Sequence, residues 1–300
     1  MNIIPVSPEE NPEELPYPIA TAIGNFDGLH LGHRFLIEKM KQIAESINAL
    51  PAVCTFSPLP ARFFGGDTPL ITTLPQRLSL MEQLGVKICI ILDFNAFASV
   101  SPTSFFNILL NRFMVKAITV GADFRFGKDR EGDTKMLAKL CKESGVNLTS
   151  LDKRSVKGIS ISSSYIRNLA LQGEVECIPE YLGRPLSIIG SVKEGDKLGH
   201  TIGFPTANLS TDNELIPPPG VYGGMAKLLR EEYKALIYIG IRPTLHGKEL
   251  RIEANLQNFP NHNIYGEKVE LEFNRRIRGE MKFADLQELK GQIIKDRELL

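Results

Sequence analysis

The sequence predicts an α/β domain on a parallel sheet, followed by a small antiparallel β-barrel that ends in a helix. Three observations predict it. From Pro18 to about Leu151, short continuous apolar runs alternate with amphipathic stretches. After about Tyr181 the runs alternate or carry β-branched residues, and Gly- and Pro-rich turns such as "PPPG" and "YGE" separate them. One amphipathic stretch, "FADLQELKGQIIKDREL", closes the chain. Three hundred residues, 43% of them apolar, suffice for two such cores.

The opening "MNIIPVSPEENPEELPYP" is acidic and Pro-rich and reads as a loosely ordered lead-in. Five buried strands follow: "IATAIG" (19–24), "AVCTF" (52–56), "VKICIIL" (86–92), "KAITVG" (116–121) and "VNLTSL" (146–151). Between them lie "HRFLIEKMKQIAES", "PQRLSLMEQLG", "PTSFFNILLNRFM" and "DTKMLAKLCKESG". Continuous apolar strands separated by helices imply a parallel sheet covered on both faces. Gly85 and Gly145 suit left-handed helix ends. In the second half, "RPLSIIGSV", "GGMAKLL", "YKALIYIGI", "LRIEANLQNF" and "KVELEFNRRI" read as antiparallel strands. The boundary is expected near 181–187, after "VECIPEYLG", giving domains of 1–183 and 184–300.

Lys+Arg and Asp+Glu balance at 35 each, which gives no electrostatic reason to expect nucleic acid or an anionic membrane as a partner. No apolar run reaches the ~20 residues of a spanning helix, and no signal-peptide pattern opens the chain. Cys54, Cys89, Cys141 and Cys177 form no CxxC pair, so a reducing cytoplasm fits. Nothing in the sequence selects an oligomeric state.

Ligands bind beyond the carboxyl ends of the strands in such sheets. "GNFDGLHLGH" (24–33) follows the first of the five strands and holds two of the five histidines, His30 and His33. On the residues alone they could be metal ligands, turn polarity or phosphate contacts. No third ligand follows at metal spacing, and Gly32 suits a turn. Gly24, Gly28 and Gly32 would let a polyphosphate approach the backbone, and the next helix offers free N–H groups. Two imidazoles there could stabilise charge on phosphorus. In "ISISSSYIRNLALQGEVE", one of Ser162, Ser163 and Ser164 reads first as an N-cap. Arg167, one turn on, makes the same helix start a candidate pyrophosphate clamp. "GADFRFGKDREGD" places Asp123 at a strand end, with Arg125, Lys128 and Arg130 in a loop that could be solvated charge.

In the second half, Thr206 and Asn208 of "GHTIGFPTANL" point the same way if the segment is extended. That suits a hard cation, although an Asx/ST turn is the plainer reading. Glu253 in "LRIEANLQNF" is a solvated strand position by default and a general base if a hydroxyl binds beside it. "RRIRGEMKF" reads first as a solvated edge.

The first-half motifs, with "TFSPLP" and "LPQRLSLMEQLGVKICIILDFNAFAS", occur in an order that resembles the nucleotidyltransferase domain of the bacterial bifunctional riboflavin kinase/FMN adenylyltransferase family. "GHTIGFPTANL", "PPPGVYGG", "IGIRPT", "IEANLQNF", "IYGEKVELEF" and "RIRGEMKFADLQELKGQIIKD" resemble its riboflavin kinase module. The resemblance implies a Rossmann-like nucleotidyltransferase domain of the HxGH type, then a six-stranded barrel with a C-terminal helix. It implies two reactions: ATP phosphorylates riboflavin to FMN, and AMP passes from ATP to FMN, giving FAD and pyrophosphate, with Mg²⁺. On that pattern Gly24, Phe26, Asp27, His30, His33 and Asp123 serve ATP, and Ser163 and Arg167 hold pyrophosphate. Thr206 and Asn208 hold Mg²⁺, Glu253 is the base, and Arg278 sits by the flavin. The chain departs from the family at Leu59 and His200, where histidine and arginine are common, and at Tyr238, in place of asparagine. Asn255 and Asn258 stand for histidine and aspartate. Two other readings are a single active half, or a nucleotide-binding flavin sensor without turnover.

Overall fold

The computed structural model describes residues 1–9, 15–63, 65–194, 203–244, 247–260 and 263–300. The chain divides into two compact units, Met1–Ser162 and Ser163–Leu300.

The first unit holds a six-stranded sheet: β1 (Asn2–Val6), β2 (Ile19–Ile23), β3 (Leu50–Ser57), β4 (Ile88–Asp93), β5 (Val115–Gly121) and β6 (Asn147–Leu151). The order is β1-β4-β3-β2-β5-β6 and every pair is parallel. The five expected strands are present. The lead-in is corrected in part: Asn2–Val6 is a strand, in register with β4 from Asn2↔Ile88 to Val6↔Leu92. Its side chains are mostly exposed, so it lacks an apolar signature, and Pro5 is tolerated at the sheet edge. Residues 10–14 of that lead-in lie outside the described residues.

Helices α1 (Leu31–Ser46), α2 (Leu74–Gln83), α3 (Pro102–Arg112) and α4 (Thr134–Glu143) stand where amphipathic stretches were expected. Strand residues sort by alternation onto two cores. Ala20, Ala22, Val53 and Cys89 pack with Ile37, Met40 and Met81. Ile19, Ile23, Cys54 and Ile90 pack with Phe105, Leu109 and Leu137 on the other core. Burial on both faces explains the unbroken apolar runs. Gly85 and Gly145 follow α2 and α4 with φ of 83° and 67°. A hairpin, β7 (Ser155–Val156) and β8 (Ile159–Ser160), turns through Lys157 and Gly158, both at positive φ.

The second unit starts with α5 (Ser163–Gln172). A closed antiparallel barrel follows: β9 (Leu186–Lys193), β10 (Ala207–Thr211), β11 (Gly220–Leu228), β12 (Glu231–Thr244), β13 (Gly247–Leu256) and β14 (Lys268–Arg278). Neighbours run β10-β13-β12-β11-β14-β9. Alternate residues fill its interior, with Tyr222 edge-on to Phe273 at 5.5 Å. The C-terminal helix α6 (Leu286–Glu298) is capped by Asp285, which accepts from the Gln287 and Glu288 N–H groups. All four cysteines are free, and burial pushes the Cys54 and Cys89 thiols up, as inert core residues.

Candidate functional sites

Strand order reverses between β2 and β5: β3 and β4 build outward from β2 on one side, β5 and β6 on the other. A crevice at the carboxyl ends of strands belongs at this point. The 24–33 turn leaves β2 there and the 122–130 loop leaves β5 there.

The turn is tightly wound. Phe26, Gly28 and Leu29 have φ of 52°, 82° and 41°. A Cβ on Gly28 would meet Ile71 Cδ1 at 2.9 Å. Gly28→Ala is therefore expected to cost about 1–3 kcal/mol, which thermal melts would record. Asp27 is 2% exposed. Its carboxylate accepts from the N–H groups of Ile71 (3.0 Å) and Thr72 (3.2 Å), and the Gly28 N–H donates to Thr72 Oγ1 at 3.0 Å. Asp27 thus shapes the turn from behind. Phe26 is buried in the core beneath.

His30 is the N-cap of α1: its Nδ1 accepts from the His33 N–H at 3.2 Å. The neutral ring then carries its proton on Nε2, which remains a donor. The two imidazoles stack, centroids 3.6 Å apart and planes 11° from parallel. Burial lowers the His30 pKa from 6.5 to about 4. His33 is also held well below its usual value, first by burial, then by the charges of His30 and Arg77.

The linkage gives a prediction. The unfolded chain takes up a proton near pH 6.5 that folded His30 refuses until about pH 4. Stability is full above the unfolded value and falls as pH drops through that window. His30→Asn keeps a capping oxygen and removes the titration. Urea unfolding at about pH 7 and about pH 5 should show a smaller pH loss for this variant than for the parent.

A cavity of about 410 Å³ opens beside the turn, with Gly24, Asn25, Asp123, Arg125 and Arg130 on its polar side. Phe56, Phe94, Phe97, Phe105, Phe124 and Phe126 form its apolar wall. Asp123 is paired with Lys153 at 2.7 Å. Leu59 is a core residue beneath this wall, whereas its neighbours Phe56, Pro60 and Ala61 line the cavity. Ser163 opens α5 in the second unit, and Arg167, one turn in, donates to Ser164 Oγ at 3.4 Å.

The barrel has its own cavity of about 330 Å³. Thr206, Asn208, Glu253 and Tyr238 lie on its polar side, and Phe204, Met281, Phe283, Leu289 and Ile293 contribute apolar surface. Thr206 Oγ1 donates to Glu253 Oε2 at 3.2 Å, and Arg251 pairs with Oε1 at 3.2 Å. Asn208 faces Glu253 in register between β10 and β13. Thr206 and Asn208 thus bring a hydroxyl and an amide to the carboxylate's cavity, an oxygen set that suits a hard cation completed by phosphate. Among the described residues, no three His, Cys, Asp or Glu side chains cluster to hold a metal alone.

Arg278 is locked to Asp296 of α6, itself 1% exposed, by Nη2–Oδ2 at 2.8 Å and Nε–Oδ2 at 3.0 Å, and it lines the cavity. Tyr238 donates to Glu280 at 2.9 Å. Burial, then this bond, raise its pKa to about 12, so the phenol stays protonated. Asn255 donates through Nδ2 to the Pro205 carbonyl at 2.8 Å. Asn258 is an exposed turn residue at φ 60°. His200 lies outside the described residues.

Comparison with known proteins agrees with both halves. A family model described as FAD synthetase matches residues 13–165, and one described as riboflavin kinase matches residues 182–300. The chain belongs to the bifunctional riboflavin kinase/FMN adenylyltransferase family. It is 39% identical over 285 residues to the Bacillus subtilis (strain 168) bifunctional riboflavin kinase/FMN adenylyltransferase, covering 92% of this chain and 90% of that one. The Escherichia coli (strain K12) counterpart is 35% identical over 279 residues, covering 91% and 89%. A solved Streptococcus pneumoniae structure, named for a macrolide-efflux protein, is 30% identical with a TM-score of 0.91, covering 100% and 98%. Among the described residues here, no helix is long and apolar enough to cross a membrane. A member of this family phosphorylates riboflavin to FMN in its kinase half and adenylylates FMN to FAD in its FAD synthetase half. Both reactions use ATP and, with it, a metal ion.

Two features escaped the sequence reading. One is the aromatic wall, whose six phenylalanines come from four separate segments. The other is Arg77, 2% exposed in the first turn of α2, whose Nη1 donates to the Asn25 carbonyl at 2.9 Å.

Proposed function

We propose that residues 1–183 carry out FMN adenylylation and residues 184–300 riboflavin phosphorylation in the cytoplasm, with Mg²⁺ as the metal and the residues named from the sequence as the machinery. In the first half, ATP lays its phosphates at the start of α1. His30 and His33 donate to oxygens of the α-phosphoryl group as their charge grows. A phosphate oxygen of FMN attacks the α-phosphorus, the bond to the bridging oxygen breaks, and pyrophosphate departs; Ser163 and Arg167 are the groups proposed to bind it. Gly24 lets the nucleotide approach the backbone, and Phe26 and Asp27 hold the turn. Asp123 serves the ribose or the metal-bound phosphates. The phenylalanine wall takes the isoalloxazine ring.

In the barrel, Glu253 accepts the proton of the 5′-hydroxyl of riboflavin, whose oxygen attacks the γ-phosphorus and releases ADP. Thr206 and Asn208 would hold Mg²⁺. When bound, that ion offsets the charge on the ATP phosphates. Arg278, braced by Asp296, borders the flavin.

The observation that carries this reading is that each half owns a cavity with an apolar wall beside its own polar apparatus. A chromatographic time course with the full chain and Mg²⁺-ATP tests it, starting once from riboflavin and once from FMN. FMN followed by FAD is expected from riboflavin, and FAD alone from FMN. A chelator should stop both reactions and added Mg²⁺ should restore them. FMN without FAD, or FAD only from supplied FMN, would leave one half silent. Bound nucleotide without product would favour the sensor.

A further inference from the structure

The turn that carries His30 and His33 is held from behind by one segment, Ile71–Arg77. Asp27 and Gly28 are bonded to Ile71 and Thr72, and Ile71 lies against Gly28. A capping box between Thr73 and Gln76 starts α2 at this point, so Arg77 leaves a rigid first turn. Its guanidinium is 2% exposed, yet it makes no ion pair within salt-bridge distance among the described residues. The carboxylate that acts on it, Asp27, has its oxygens engaged by Ile71 and Thr72. Among the described residues, Arg77 Nε and His33 Nδ1 are both buried without a hydrogen-bond partner.

A buried cation without a close carboxylate costs stability that an apolar residue of similar volume would not. Its placement therefore calls for another reason. We propose that Arg77 is a positioning residue of adenylyl transfer: from behind the turn it fixes the Asn25 carbonyl and sets the electrostatic surroundings of the His33 imidazole. The inference rests on the reading of His33 as a contact to the ATP phosphates.

The groups around His33 are the stacked His30 and Arg77, with Asp27 and the Cys89 thiol acting on Arg77 behind them. The Arg77 charge opposes protonation of His33, in the same sense as burial. A neutral imidazole N–H gains most as charge develops on the phosphoryl oxygens, whereas an imidazolium would bind the polyphosphate strongly before reaction.

Two variants separate the parts of this role. Arg77→Gln keeps a donor for Asn25 and removes the charge, and Arg77→Lys keeps the charge. FAD formation by R77Q is expected to fall on the order of 10-fold to 10²-fold in kcat, with the KM for FMN changed by less than about 3-fold. Burial and His30 still hold His33 low in R77Q, so the acid limb of its kcat should move to higher pH than the parent's without reaching that of a free imidazole, and R77K should keep the parent's pH profile. Nitrogen-detected NMR of ¹⁵N-histidine-labelled full chain should show His33 titrating at higher pH in R77Q. Kinase activity in the same samples reports the amount of chain, and thermal melts report the folding of the first unit. An R77Q variant with the parent's pH profile and His33 titration overturns the proposal, as does a loss confined to KM. If R77Q fails to fold, R77K decides: an acid limb moved to higher pH in R77K, with the charge present, overturns it equally. His33→Ala distinguishes the two levels. Full FAD formation by that variant removes the underlying reading, whereas an inactive His33→Ala beside a silent R77Q removes only the role of Arg77.

Discussion

His30→Ala is expected to lower FMN adenylylation by about 10³-fold or more while riboflavin phosphorylation continues unchanged. The size follows from what one ring does. It caps α1, stacks on His33 at 3.6 Å, and remains uncharged down to about pH 4. With Nδ1 engaged by the His33 N–H, Nε2–H is its remaining donor. In a buried setting one preorganised donor to a developing charge contributes several kcal/mol to the transition state, against about 1 kcal/mol for a lost cap. The two losses can be told apart. His30→Asn retains the cap, so it should melt close to the parent yet form FAD almost as poorly as His30→Ala. Steady-state assays of both reactions and thermal melts on one preparation check this, the kinase normalising for the amount of chain. Wild-type FAD formation by His30→Ala would remove the ring from the mechanism. Normal activity in His30→Asn alone would reduce its role to capping.

This site was legible in the sequence because its signals are local. Glycines and histidines three and four residues apart have few structural uses, and the apolar run before them fixes the strand from which they emerge. β2 to β6 were legible for the same reason: burial on both faces leaves no polar interruption. What was not legible depends on distant partners. Asp27 takes its meaning from Ile71 and Thr72, some 45 residues on, and Arg77 reads in sequence as an ordinary charge on an amphipathic helix. The aromatic wall assembles only when β3, the segment after β4, α3 and the loop after β5 meet at one end of the sheet. β1 is held by hydrogen bonds to β4 more than by burial, so its pattern carried no apolar signature. Leu59 shows the same limit from the other side. As a departure from the motif that the family resemblance rests on, it suggests an altered flavin contact, whereas its packing makes it part of the core.

Glu253→Gln is expected to reduce FMN formation by about 10²–10⁴-fold and to leave FAD formation from supplied FMN intact. The substitution is close to isosteric, and the surroundings keep it informative. The Thr206 hydroxyl that donates to Oε2 can donate equally to an amide oxygen, so the cavity wall need not rearrange. Arg251 loses a charged partner in a part-buried pair, which weakens β13 modestly. What disappears is the capacity to accept a proton from the attacking hydroxyl. Phosphoryl transfer through a loose transition state asks little of a base in the ground state. The loss should therefore appear in kcat, with riboflavin KM nearly constant. Thr206→Val should behave differently. It removes an oxygen proposed for the cation and leaves the carboxylate without its hydroxyl donor, so its defect should shrink as Mg²⁺ is raised. The Glu253→Gln defect should not respond to Mg²⁺. If added Mg²⁺ instead restored Glu253→Gln, the carboxylate would be serving the metal, and the base would have to be sought elsewhere in the barrel's cavity.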